Sequence, residues 1–412
     1  MPGLKRMVKA VLPARIVREL QDLTELPPAA KAEKRRDRRG ALNADPGPQR
    51  CIDAGLDWLA KAQDRSATAD GGVARHYSLV SGWGRSYPET TGYIIPTLLT
   101  QQARASKPDS EARARRMLDW LVSIQMPDGG FQGGMIGAVP RVSVTFNTGQ
   151  ILIGLAAGCR HFGGDAYSKS LHRAATFLRD SQDADGCWRR HATPFAAPGD
   201  KAYETHVAWG MFEADRVAPG CGYGDSGHRQ LAWAMSKQQA NGWLAECCLT
   251  DPQRPLTHTL GYALRGFVEA QRHRPSDATL GAALKLAEAL ATRGLREDGF
   301  LPGRFAADWT PQAHWSCLTG AVQIAASWLD LYEWTGKKPL LDAAKRANAF
   351  VRRTIAMDPQ QEHSYGGVKG SYPVDGDYGR FEYLNWAAKF AIDANVRELE
   401  VAGVSSVESA PS

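Results

Sequence analysis

The chain has 412 residues, 43% of them hydrophobic, with 12 Trp and a formal net charge of +6. That is enough apolar material for a sizeable core, and closed helical or strand toroids reach this length as single domains, so several independent domains are not required. Much of the positive excess sits in the first forty residues, so the basic balance does not point to a nucleic-acid partner.

From Met1 to Leu20, apolar residues alternate with Lys and Arg and form no continuous apolar run, so the segment resembles neither a signal peptide nor a spanning helix, and a short surface-binding amphipathic helix is one reading of it. The run "KAEKRRDRRG" (Lys31 to Gly40) reads as a solvated, mobile arm, with weak contact to an acidic membrane surface as the alternative. Residues 1–48 are therefore expected to be a basic N-terminal arm, partly disordered or amphipathic. The 7 Cys are odd in number and scattered, which argues against a disulfide framework and for the reducing cytoplasm.

Beyond the arm a unit repeats. The turn "QDADGCW" (Gln182 to Trp188) recurs as "QMPDGGF" from Gln125, "QQANGW" from Gln238 and "LREDGF" from Leu295, with looser copies at "ADGGV" from Ala69 and "YGGV" from Tyr365. Its Asp or Asn falls at 70, 128, 185, 241 and 298, in steps of 58, 57, 56 and 57. Such a near-constant period marks one supersecondary unit used repeatedly.

Each turn follows a segment with helical apolar spacing and one charged face, as in "EARARRMLDWLVSIQ" from Glu111. Each is followed by a second helix of another character, apolar nearly all round and rich in small residues, such as "FNTGQILIGLAAG" from Phe146 or "THTLGYALRGFVEA" from Thr257. The first class belongs to an outer layer with one wet side, the second to an inner layer buried on all sides. Strict alternation of the two predicts an all-α fold, a single (α/α)6 toroid of six helical hairpins over residues 49–396, followed by a disordered tail at 397–412. A Gln, an Asp-Gly or Asn-Gly pair and an aromatic residue at the end of an outer helix suit a structural clasp, because glycine accepts positive φ and the acid or amide bonds local backbone.

The pattern Gln-x-x-Asp-Gly-x-aromatic, complete at Gln125, Asp128, Gly129, Phe131 and at Gln182, Asp185, Gly186, Trp188, resembles the repeat of terpenoid cyclase and protein prenyltransferase toroids. In layout the chain is also similar to the six-hairpin carbohydrate-active enzymes. The resemblance implies a toroid, but the chemical motifs of the first group are missing. Asp375-Gly376-Asp377-Tyr378 lacks the last acid of the Asp-x-Asp-Asp motif, and no Asp-x-Cys pair stands on a suitable helix for zinc. Cys247, Cys248 and His258 make a poor substitute, since adjacent cysteines rarely both face one ion. No metal or cofactor is expected.

The loops leading into the inner helices converge on one mouth, and their residues carry the functional expectation. Unit one brings Trp83, Arg85, Tyr87 and Glu89, unit two Arg141 and Asn147, unit three Tyr203, Glu204 and His206, and unit four His258. Unit five brings Arg304, Trp309, His314 and Trp315, and unit six Tyr372, Asp375, Asp377, Arg380 and Glu382. Singly, each carboxylate serves as well for capping a helix, and each His or Trp for packing. Together they describe a polar pocket with flat rings, suited to a sugar or oligosaccharide. Glu89, Glu204, His206, His258, Asp377 and Glu382 are the catalytic candidates, either as a carboxyl pair for glycoside hydrolysis or, with a Tyr or His base and arginines, for lyase or epimerase chemistry on an acidic sugar. An enzyme acting on an isoprenoid, or a non-catalytic scaffold binding glycan or protein, are the alternatives.

Overall fold

In the computed structural model of the chain, residues 14–105 and 108–408 are described. Two N-terminal helices, α1 (Ala14–Glu25) and α2 (Pro28–Arg38), precede six hairpins. The outer helices are α3 (Pro48–Asp64), α5 (Pro108–Ile124), α7 (Asp165–Ser181), α9 (Tyr223–Ser236), α11 (Asp277–Ala289) and α13 (Lys338–Arg352). The inner helices are α4 (Pro88–Ala105), α6 (Thr145–Phe162), α8 (Thr205–Val217), α10 (Thr257–His273), α12 (Leu318–Thr335) and α14 (Asn385–Glu408). Each inner helix packs on the next and α14 returns to α4, which closes the ring and makes the predicted (α/α)6 toroid.

The two helix classes differ as their sequences require. In α6 every residue from Thr145 to Gly158 is buried, whereas outer helices such as α7 bury one stripe. Inner helices approach one another through glycine: a Cβ on Gly154 would lie 2.2 Å from Gly92 O, and one on Gly210 2.2 Å from Gly149 O. The repeated turn is a clasp between consecutive units. Gln182 Nε2 donates to Gly186 O (2.8 Å) and to Ser226 O of the next outer helix (2.9 Å), Asp185 Oδ1 accepts from Cys187 N (3.1 Å), and Trp188 Nε1 donates to Leu178 O (2.8 Å). Gln125 repeats the pattern with Gly129 O and Ser170 O.

Two boundaries differ from the sequence reading. The fifth and sixth inner helices begin at Leu318 and Asn385, not at His314 and Phe381, because the residues before them are drawn into short strands. β3 (Ser316–Cys317) pairs antiparallel with β4 (Ser371–Tyr372), and β5 (Glu382–Leu384) with β1 (His76–Ser78), which also pairs with β2 (Gly82–Trp83). Of the tail expected to be disordered over 397–412, residues 397–408 are instead the end of α14, helical to Glu408, and the last four lie outside the described residues.

The basic run is not a free arm over the described residues. α1 and α2 lie on the loop 369–382 that leads into the last inner helix, since the acids interspersed with the arginines find partners there. Lys369 Nζ reaches Asp37 and Glu33, each at 2.7 Å, and Asp37 Oδ2 also accepts from Val374 N (2.8 Å). Lys34 pairs with Asp22 (2.6 Å), Arg38 with Asp375 (2.6 Å), and Ala30 packs with Val374 and Phe381. The amphipathic reading of Met1 to Leu20 falls mostly outside the described residues. No helix among the described residues is long and apolar enough to cross a membrane.

Candidate active site at the mouth of the toroid

At the N-terminal ends of the inner helices a cavity of about 350 Å³ opens along the axis. Of the residues singled out from sequence, Tyr87, Glu89, Asn147, Tyr203 and His258 line it. Pro88 at the start of α4 and the first turns of α6 and α10 set these side chains around one hollow.

Glu89 Oε2 accepts from Tyr87 Oη (2.7 Å) and Asn147 Nδ2 (3.0 Å). Burial pushes its pKa up to about 7, against the pull of the Tyr87 hydrogen bond and the Arg75 charge, so the carboxyl keeps its proton well above the ordinary range. Opposite in character, His258 is held neutral: burial lowers its pKa to about 4. Its Nδ1 lies 2.9 Å from Gln323 Oε1, so the ring donates there and the lone pair is left on Nε2. The rings of Tyr262 and Tyr378 stand 4.2 and 5.1 Å from the imidazole, centroid to centroid. The site therefore offers a neutral acid, a neutral base and flat apolar surface.

Several lining residues were missed by the sequence reading, Arg75, Tyr262, Tyr378 and Trp386 among them. Arg75 donates from Nη1 to Glu382 Oε2 (2.7 Å) and lies over Trp386 at 5.1 Å. Tyr262, Tyr378 and Trp386 complete the wall, and Trp386 Nε1 donates to Tyr378 Oη (2.8 Å). Tyr262 was findable, since it follows His258 by four residues and so shares its helix face. Arg75 and Tyr378 lie on loops with no periodicity to place them.

The remaining candidates stand elsewhere. Glu382 reaches the cavity only through Arg75. Glu204, which precedes α8, is buried off the cavity with Oε2 unpartnered, and burial raises its pKa to about 8. His206 lies beneath the floor, packed 4.4 Å from Tyr262 with Nδ1 2.5 Å from Gln150 Oε1. Asp377 pairs with Arg18 (2.6 Å) and Asp375 with Arg38, under the N-terminal helices, and Arg380 pairs with Asp22. His314 and Trp315 face that same cleft. Trp83 is half-buried and packs on Trp58 at 5.5 Å, whereas Trp309 is core, packed on Trp243 with its Nε1 donating to Asn241 O. Tyr372 packs on Phe350 at 5.7 Å. Arg85 reaches toward Ile136 O (3.5 Å), Arg304 donates to Arg254 O (2.6 Å), and Arg141 is exposed. Arg85, Arg141 and Arg304 are thus not among the residues that line the cavity. Among the described residues no group of three or more His, Cys, Asp or Glu converges to hold a metal ion.

Fold and cavity together define an α/α toroid with an aromatic-lined mouth. Residues 89–267 match the model of the squalene-hopene cyclase C-terminal domain family. Among solved structures, the chain is similar to an unsaturated glucuronyl hydrolase from a Bacillus sp., responsible for glycosaminoglycan degradation (14% identity, 85% of this chain and 96% of that one, TM-score 0.66). It is also similar to cellobiose 2-epimerase from Bacillus thermoamylovorans (12%, 89% and 98%, 0.64) and to a D-mannose isomerase (11%, 86% and 97%, 0.67). No curated protein matches the chain in sequence. These likenesses establish the six-hairpin toroid.

Proposed function

We propose that the protein is a carbohydrate-active enzyme that moves protons on a sugar held in the mouth. The observation that carries this is the pairing of a protonated carboxyl, Glu89, with a neutral imidazole, His258, around one cavity of about 350 Å³ walled by aromatic rings. That volume falls within the roughly 300–1,000 Å³ of small-molecule sites. Sugar-acting enzymes among the similar structures support the reading.

Among the described residues only one carboxyl lines the cavity directly, so the carboxyl pair needed for ordinary hydrolysis has no second member among them there. Epimerase or isomerase chemistry fits better. His258 Nε2 takes the proton from the carbon beside a sugar carbonyl, while Glu89 gives its proton to the carbonyl oxygen, forming an enediol. His258 then returns its proton to the former carbonyl carbon while Glu89 takes a proton back from the hydroxyl on the neighbouring carbon, which gives the isomer; return to the original carbon after the enediol has turned its other face to His258 gives the epimer, and in either case the two groups regain their starting states. Asn147 and Tyr87 orient Glu89, and Tyr262 and Trp386 offer faces for the sugar ring.

The test is incubation with neutral disaccharides, hexoses and uronates in deuterated water, followed by mass spectrometry. Deuterium gained beside the carbonyl in the wild type, and lost in Glu89→Gln and His258→Asn, supports the reading. Absence of exchange with every sugar refutes it. A second reading, cyclisation of an isoprenoid, is favoured by the match at residues 89–267 and by the aromatic walls. Turnover of prenyl diphosphates without any sugar exchange would establish that alternative, and ligand binding without turnover in either series the scaffold.

A further inference from the structure

Two loops beside the mouth are apolar where exposed loops are ordinarily polar. They are 133–142, "GGMIGAVPRV", between the clasp and the inner helix of unit two, and 192–199, "ATPFAAPG", in unit three. Among the described residues seven large hydrophobic side chains are exposed, and three of them stand here: Val139, Val142 and Phe195, the last 48% exposed. Neither loop hangs free. Ile136 N donates to Ser86 O of unit one (3.0 Å) and Gly133 N to Val142 O (3.2 Å), while Ala197 N donates to Leu249 O of unit four (2.9 Å) and Lys201 Nζ to Ala197 O (2.6 Å). The Phe195 ring lies against the unit-two loop, so close that a Cβ on Gly134 would sit 2.9 Å from its Cε2; Gly134, at φ 73° and without a side chain, leaves the ring its place. Met135, Ala138, Phe195 and Leu249 thus form one preformed apolar ledge along the mouth, with Thr193 the one polar side chain among the described lining residues of these loops.

Depth separates the ledge from the reacting groups. Glu89, Asn147 and His258 are buried at helix starts, whereas Phe195 is half in solvent and Met135, Ala138 and Leu249 are partly exposed. A molecule with its carbonyl at Glu89 therefore reaches the ledge with its other end. Hydroxyls laid on that surface would lose water and gain no partner, while hydrocarbon laid on it gains in proportion to the area removed from water. We propose that the substrate is an amphiphilic sugar, a reducing hexose that carries an aliphatic chain on the end remote from its carbonyl, with the chain lying on the ledge. This rests on the sugar chemistry assigned to the mouth and names the class of substrate; Phe195 sets the preference for the chain.

Calorimetric titration of the full chain with 6-O-octyl-D-glucose, below its micellar concentration, tests it. The comparison compounds are melibiose, which carries a galactosyl unit on the same oxygen, and 1-octanol, which has no sugar head. Saturable binding of the octyl ether about tenfold or more tighter than either is expected. Phe195→Ser should weaken it about tenfold or more at an unchanged thermal midpoint, and Trp334→Ala, which removes another exposed aromatic at the opposite end of an inner helix, should leave it unchanged. No saturable binding of the ether, equally tight binding of melibiose or of octanol, binding indifferent to Phe195→Ser, or binding that falls equally in Trp334→Ala would each overturn the proposal. Binding is read here without turnover. A sugar panel that shows no deuterium exchange refutes the chemistry at the mouth while the titration still decides whether the mouth takes an amphiphile, and exchange on plain hexoses with no gain from the octyl chain refutes this proposal alone.

Discussion

Replacing Glu89 by Gln should change how stability depends on pH. Gln keeps an oxygen for Tyr87 Oη and Asn147 Nδ2 but cannot ionise. In the wild type, burial raises the carboxyl from its ordinary 4.5 to about 7, so between those values the folded protein holds a proton that the unfolded chain has released. A raised carboxyl pKa therefore contributes stability that is complete below about pH 4.5 and is lost as pH rises through about 7. At about 1.4 kcal/mol per pH unit, the wild type should lose about 3 kcal/mol relative to Glu89→Gln by pH 8. Glu204 titrates in the same direction but is present in both proteins, so it cancels in the difference. Urea unfolding of both proteins from pH 4.5 to 8 measures this. A stability difference that stays constant across the range would refute the claim that Glu89 is a buried, protonated acid.

Turnover of whichever sugar exchanges should be highest between about pH 4, where His258 becomes neutral, and about pH 7, where Glu89 loses its proton; a pH–rate profile checks both limbs, and the alkaline limb is the one assigned to Glu89. Lys369→Met should destabilise the fold by about 3–5 kcal/mol, because Asp37, 1% exposed on its side chain, is left buried without its cation. Denaturant melts of Lys369→Met and of the double variant Lys369→Met/Asp37→Leu check this, with the double variant expected to recover part of the loss. Gly186→Ala should cost about 1–3 kcal/mol, since Gly186 has φ 95° and a Cβ there would sit 2.5 Å from Arg229 O; the thermal midpoint should fall while the reaction at the mouth persists.

The architecture was legible because it is periodic. The steps between clasps and the two classes of helix are local sequence properties, and the clasp itself needs only glycine at positive φ beside an Asp or Asn. The candidate site was legible where it sits on helix starts: Glu89, Asn147 and His258 were singled out because they stand where loops lead into inner helices. It was not legible where long-range pairing decides. Glu382 and His314 looked like residues at helix starts, but strand pairing with β1 moved the start of the sixth inner helix past Glu382, and the β3–β4 pair moved that of the fifth past His314. Asp375, Asp377 and Arg380 looked like mouth residues, yet their partners lie more than 330 positions away in α1 and α2, which no local pattern announces. The same pairing turns a charge run that reads as solvated into a brace on the loop carrying Tyr378. Arg75 was missed for a related reason, since its position follows from Glu382 and Trp386 across the closure of the ring.

The most direct measurement is a crystal structure of the His258→Asn variant with a bound sugar from the exchange panel. The account predicts the sugar in the mouth, its carbonyl oxygen within hydrogen-bonding distance of Glu89 and the neighbouring carbon facing residue 258. A sugar seated only outside the mouth, or a mouth that admits an isoprenoid chain and no sugar, would contradict it.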